Sequence, residues 1–265
     1  MDVHANATDA RLFDYLLRLG DNALVLCQRL GEWVGKGPVL EEDIASTNVG
    51  LDLLGQARLW LTYAGEVEAR SRGQGRTEDQ LAYFRESNEF RNLLLIEQPN
   101  GNYADTVARQ FLFDQWHVLL LGELTLSRDE RVAGIAAKAV KEVRYHVERS
   151  SDWLIRLGDG TDVSHARMQS AIENLWMYTG EMFAVDDTER FLIDAGIAAD
   201  TQALEPHWQS SVNTVLEEAT LEAPADRWMQ GAKGRGGKQG MHTEHLSHLL
   251  TAMQVLPRSY PDARW

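Results

Sequence analysis

Several things are scarce in this chain, and most of these scarcities argue against a class of function. Among 265 residues there is one cysteine, Cys27, so no internal disulfide forms, which suits a reducing cytoplasm. No apolar run reaches the roughly eighteen residues a membrane span needs. The opening MDVHANATDARLFD has no basic stretch leading into an apolar one, so a signal peptide is not expected. Positive charge is short: 26 Lys and Arg stand against 40 Asp and Glu, for a net charge of −14. Such a surface repels nucleic acid and anionic lipid and suits a basic protein partner. Finally, of eight histidines none falls between residues 5 and 116.

What is present is helical periodicity, almost everywhere. Leu12, Leu16, Leu19, Ala23, Leu26, Leu30 and Trp33 recur at alternating spacings of 4 and 3, one face of an amphipathic helix. Gly35, Gly37 and Pro38 end it. The pattern predicts four core helices over about 12–34, 41–68, 103–127 and 130–157, with Ile44, Leu51, Leu54 and Leu61 sharing a face of the second. A shorter helix is expected across 79–95, and further helices near 163–184, 186–195, 201–221 and 242–256. QPNGN (98–102) is a break between two helical hairpins. Alternating strand-like runs are absent, and no linker separates domains. The expectation is one all-α domain over 1–265, with a flexible glycine-rich, basic insert at 231–240.

Several polar residues fall on apolar faces. On the fourth core helix Ala136, Val140, Val143, Val147, Leu154 and Leu157 form a stripe, with Glu142 and His146 on its flank beside Ile135, Ala139 and Trp153. Glu142 and His146 differ by about 40° around the axis. On the third, Asp114 stands in the stripe Val107, Phe111, Val118, Leu121, with His117 three residues on. Buried carboxylates need partners or a metal. A structural network and a metal cluster are the two readings.

An inventory separates them. A two-iron bundle takes single Glu residues from two helices and Glu-x-x-His from the other two. The first hairpin has no histidine. Its second helix reads Asp52-Leu-Leu-Gly55, with Gly at the His position. The fourth reads Glu142-Val-Arg-Tyr145, with His146 one residue late. The first helix offers Asp21 or Glu32. Asp52, Asp114, Glu142 and His146 therefore read as a degenerate ligand set, and no metal or catalytic residue is assigned to this chain.

Near the C-terminus, HTEHLSH (242–248) groups His242, Glu244, His245 and His248 without the zincin order, which fits a partner-facing helix end. GAKGRGGKQG (231–240) supplies Lys233, Arg235 and Lys238 for a phosphate or partner contact, though its order is not a P-loop. No Gly-x-Ser-x-Gly nucleophile elbow occurs.

Together, RLGDNALVLCQRLGEW (18–33), NVGLDLLGQARLWLTYAGE (48–66), NLLLIEQPNGNYADTVARQFLFDQWH (92–117), KAVKEVRYHVERSSDWLIRLGDGTDVS (138–164) and GMHTEHLSHLLTAMQ (240–254) resemble the C-subunit family of bacterial phenylacetyl-CoA epoxidases. That resemblance implies a ferritin-like four-helix bundle core with additional C-terminal helices. It also implies a place in a multicomponent monooxygenase of phenylacetate catabolism. There the di-iron centre and the binding site for the CoA thioester lie in the A subunit. A reductase with flavin and an iron–sulfur cluster brings electrons from NADPH, and the C subunit holds no cofactor and pairs with A. The alternative is a ferritin-like oxidase active on its own through Asp52, Asp114, His117, Glu142 and His146.

Overall fold

The computed structural model describes residues 3–225 and 236–263. Among them there are ten α-helices and no strand, and the all-α, ferritin-like class expected from the sequence holds. The chain divides into two compact units, whose described residues are 3–98 with 236–263, and 99–225.

The first unit is built on the hairpin of α1 (Val3–Gly31) and α2 (Leu40–Arg72). The 4-3 stripe of α1 is the buried face: Leu16 and Leu26 have no exposure, and Leu12, Leu19, Ala23 and Leu30 are buried with them. On α2 the outcome differs from expectation. Leu61 is buried, whereas Ile44, Leu51 and Leu54 are exposed. The first two lie one heptad apart and about 90° away from Leu61 around the axis, so the inward arc is instead Val49, Leu53, Ala57, Trp60, Ala64 and Val67.

The single helix expected across 79–95 is a broken strap. It comprises α3 (Glu78–Tyr83), a 3-10 turn at Ser87–Glu89 and α4 (Leu94–Glu97). Between its short helices some carbonyls bond side chains instead of amides one turn on. Arg85 Nε donates to the Leu81 oxygen, Arg85 Nη1 to that of Glu89 at 3.0 Å, and Arg91 Nη1 to that of Asn88 at 2.8 Å. Glu86 is extended, and the Glu89 side chain accepts from its amide at 2.8 Å. Each such bond is an alternative to helix continuation.

The second unit is built on α5 (Tyr103–Leu124) and α6 (Glu130–Gly158), with α7 (Asp162–Trp176), α8 (Asp187–Asp194) and α9 (Thr201–Glu218) added. The Asn-Gly break works through chemistry visible in the sequence. Asn102 accepts from the Ala104 amide at 2.8 Å, and the Asp105 side chain accepts in turn from the Asn102 amide at 2.8 Å, a capping box. Asp129 caps α6, accepting from the amides of Arg131 and Val132 at 3.0 Å. From Thr106 to His117 every residue of α5 is buried. Leu112, Phe113, Trp116 and Leu120 are covered as fully as the stripe, so the all-round apolar character of α5 makes it an internal helix and not a partner-facing one. The Trp208 indole of α9 donates to the Leu112 oxygen at 3.1 Å. The last helix, α10 (Glu244–Ser259), belongs to the first unit.

Candidate functional site

The polar residues on the inner faces of α5 and α6 do meet. Asp114 has no exposure and His146 almost none. Gln110, one turn before Asp114, donates to its Oδ1 at 2.6 Å. Burial pushes the Asp114 carboxyl up to about 6, against the lowering pull of His146, Ser150, Gln110 and Arg149. His117 is driven down to about 3, chiefly by burial and then by His146, and it is neutral near pH 7. Its ring lies 4.8 Å from that of Phe113. Asp114 is thus buried with the Gln110 amide bonded to one oxygen and with the His146 ring and the Ser150 hydroxyl near it, a buried polar cluster on the inner faces of α5 and α6.

The remaining members of the expected ligand set point elsewhere. Glu142 is only partly buried, and its carboxylate lies 4.0 Å from Lys138, one turn back on the same helix. Tyr145 is 50% exposed: the Glu-x-x-His position on α6 faces outward, and His146 is the inward residue. In the first unit Asp52 is half-buried on α2, and Gly55 is exposed. Asp21, considered for a ligand role, is fully buried and already saturated. Arg85 grips both of its oxygens, one at 3.0 Å, and the Arg91 amide adds a third bond at 2.8 Å. A carboxylate with a guanidinium fork and an amide on it has no oxygen left for a cation. Among the described residues no group of three or more His, Cys, Asp and Glu side chains converges. Two irons bridged in a bundle need four carboxylates and two histidines, and the donors present here do not fit that group.

The basic insert and the histidine cluster are also redistributed. Lys233 and Arg235 lie outside the described residues. Lys238 is buried, with 5% exposure, in a 3-10 turn, which takes its charge off the surface where a phosphate would meet it. Two of the glycines serve close backbone approach instead. A Cβ on Gly237 would fall 1.7 Å from the Asn92 oxygen, and Gly240, at φ +74°, would place one 2.2 Å from that of Asn88. His242, expected to face a partner, turns inward onto Glu97 at 2.8 Å, while Glu244 and His248 remain exposed and His245 is intermediate.

Sequence reading missed Glu97 and Arg85. Both carry signals that could have been followed: each is a charged residue in an otherwise apolar or turn-forming stretch, needing a distant partner.

Several exposed hydrophobic side chains cluster in sequence around the α1–α2 turn. Val34, Val39, Leu40, Ile44, Leu51 and Leu54 are all at least 40% exposed, and they lie within 21 consecutive residues of the α1–α2 turn and the first half of α2. On α2 the exposed positions Glu41, Ile44, Asn48, Leu51, Gly55 and Arg58 trace one helical stripe. Among the described residues no helix is long and apolar enough to cross a membrane.

Comparison with known proteins adds two findings. The family model described as "Phenylacetic acid catabolic protein" matches residues 1–265. The chain is 51% identical over 255 residues to the C subunit of the 1,2-phenylacetyl-CoA epoxidase of Escherichia coli (strain K12), covering 96% of this chain and 99% of that relative.

Proposed function

The chain belongs to the Phenylacetic acid catabolic protein family, and from that premise we propose that it is a non-catalytic structural subunit of a phenylacetyl-CoA epoxidase complex in the cytoplasm. In this reading it pairs with the di-iron A subunit and stabilises it. The iron, and the flavin and iron–sulfur groups of the reductase, belong to other chains.

The observation that carries the reading is the set of exposed hydrophobic side chains from Val34 to Leu54, with Ile44 and Leu51 on the outward stripe of α2. The chain fully buries large side chains such as Trp60, Trp176 and Trp208. Leaving Ile44 and Leu51 in water costs about 1.5–3 kcal/mol per side chain relative to burial. Contiguous exposed patches of this kind mark interaction surfaces. A second copy of the chain is a poor occupant, because two bodies of charge −14 repel. A different subunit with an apolar helix face and basic rim suits the stripe, which begins at Glu41 beside Glu42 and Asp43.

The role of this chain toward the chemistry is support. Asp21 is committed to Arg85, Glu142 to the flank of α6, and Asp114 to Gln110 and His146. The reading of an oxidase active on its own draws on Asp52, Asp114, His117, Glu142 and His146, and among the described residues no three such side chains converge.

The experiment is co-expression with the A subunit. Leu51→Asp is expected to weaken pairing at least tenfold, about 1.4 kcal/mol, with unchanged helicity by circular dichroism. Iron assigned chain by chain in the purified pair should fall on the A subunit. Unchanged pairing, or iron held by the isolated chain described here, would sink the proposal.

A further inference from the structure

One cluster, distinct from the network of α5 and α6, imposes a protonation state on the C-terminal segment. Glu97 of α4 has no exposure. Its Oε1 accepts from the Thr243 amide at 2.6 Å and from the Thr243 hydroxyl at 2.8 Å. Its Oε2 accepts from Asn92 Nδ2 at 2.9 Å and lies 2.8 Å from His242 Nδ1. The other ring nitrogen of His242, Nε2, is 3.0 Å from the Phe90 main-chain oxygen. A carbonyl only accepts, so Nε2 carries a hydrogen. Nδ1 and Oε2 therefore face each other at hydrogen-bond distance, and bare lone pairs there would repel in a buried setting. One proton has to lie between them. On the ring it gives an imidazolium beside a carboxylate; on Glu97 it gives a neutral imidazole beside a carboxylic acid. Either way the pair holds one proton more than the same two groups hold apart in water above pH 7.

We propose that this shared proton makes residues 236–259 a latch on the 84–98 strap, closed while the proton is held and loosened as pH rises. The segment's other polar attachments sit on the strap, the end of α3 and α1, and Leu246, Leu249 and Leu250 of α10 are buried besides. Gln254 donates to the oxygens of Ala82 and Arg85 at 3.2 and 3.1 Å. Arg258 bonds the Tyr83 oxygen at 3.0 Å and Glu86 at 2.8 Å. Gly237 and Gly240 let the backbone come down onto Asn92 and Asn88. The charged groups around the latch are Glu97 itself, Arg29 of α1, Arg91 of the strap and Lys238 of the segment. Arg29 donates to the main-chain oxygens of Glu97 and His245 and pairs with Glu32 at 3.1 Å, and Arg91 is held by Asp14 at 3.0 Å. These cations favour loss of the proton, and Glu97 retains it.

The sign follows directly. The folded state holds a proton that the opened segment releases near neutrality, so rising pH favours opening, by up to about tenfold per pH unit once the open form has lost the proton and the closed form still keeps it. The measurement is amide hydrogen exchange of α10 in the full chain, expressed as protection over intrinsic rates from pH 6.5 to 9.5. Wild type should lose about tenfold or more of its protection across that range. Glu97→Gln replaces the shared proton with a permanent amide N–H toward a neutral ring, so its protection should change less than about twofold. His242→Phe should lose protection at every pH. Identical pH profiles for wild type and Glu97→Gln would overturn the latch. Independently of any variant, a nitrogen-15 and carbon-13 measurement at pH 7 that found a neutral His242 ring beside an ionised Glu97 would overturn it as well.

Discussion

At the scale of the residue, Asp114 has the most instructive energetics. Its carboxyl rests near 6 in the folded chain, raised from 3.8 by burial. The folded state thus binds that proton more tightly than the unfolded one. This contribution is fully present below pH 3.8 and is lost as pH rises through about 6. Above that pH the buried carboxylate is a net cost on the order of 3 kcal/mol. Asp114→Asn keeps an oxygen for the Gln110 amide and removes the cost. Its stability advantage over wild type should be absent near pH 3.5, grow between pH 4 and 6, and level off above. Urea unfolding at those pH values measures it. His117 runs the other way: held down near 3 from 6.5, it contributes stability above pH 6.5 that is lost as pH falls toward 3. An Asp114→Asn gap that stays constant from pH 4 to 8 would contradict the assignment.

At the scale of the element, the strap between α2 and α5 joins buried apolar side chains, among them Leu81, Phe90, Leu95 and Ile96, to a buried ion pair. Arg85 is 1% exposed and joins the strap to Asp21 of α1 across 64 residues of sequence. Its guanidinium also stacks 4.2 Å from the centre of the Phe90 ring. Removing one member of such a pair strands the other. Arg85→Met should therefore destabilise the chain by about 3–5 kcal/mol, and much less when Asp21 is replaced by Asn in the same protein. A double-mutant cycle by thermal unfolding tests the coupling. The same element shows why sequence periodicity misleads across 79–95. The residues are helix-compatible, but side chains of α1 and α10 take main-chain groups that helix continuation would use, as Asp21 does at Arg91, Asn22 at Leu93 and Gln254 at Ala82.

At the scale of the whole molecule, the proposed pairing through the exposed face of α2 would couple stability to assembly. A partner that covers Ile44 and Leu51 binds the folded chain and not the unfolded one, so mass action stabilises the fold. The chain's melting temperature should rise when the A subunit is added, and rise further with A-subunit concentration. The Leu51→Asp variant should melt as the isolated wild-type chain does and gain little from the partner. Differential scanning calorimetry of chain, variant and mixtures reads this.

Local physics made part of this protein legible without coordinates. The 4-3 spacing from Leu12 to Leu30, the Asn102 and Asp129 caps and the break at QPNGN depend on neighbours within one or two turns, and they set the helices. The gap in histidines from residue 5 to 116 was legible for the same reason: composition is a property of the chain itself. Only the tertiary structure decided which polar groups meet. Asp21 with Arg85, 64 residues apart, and Glu97 with His242, 145 residues apart, are pairings that no helical period encodes. Periodicity tells how wide an apolar arc is, but not which part of it the rest of the chain covers. That is why Ile44 and Leu51 read as core in the sequence and stand in water in the fold.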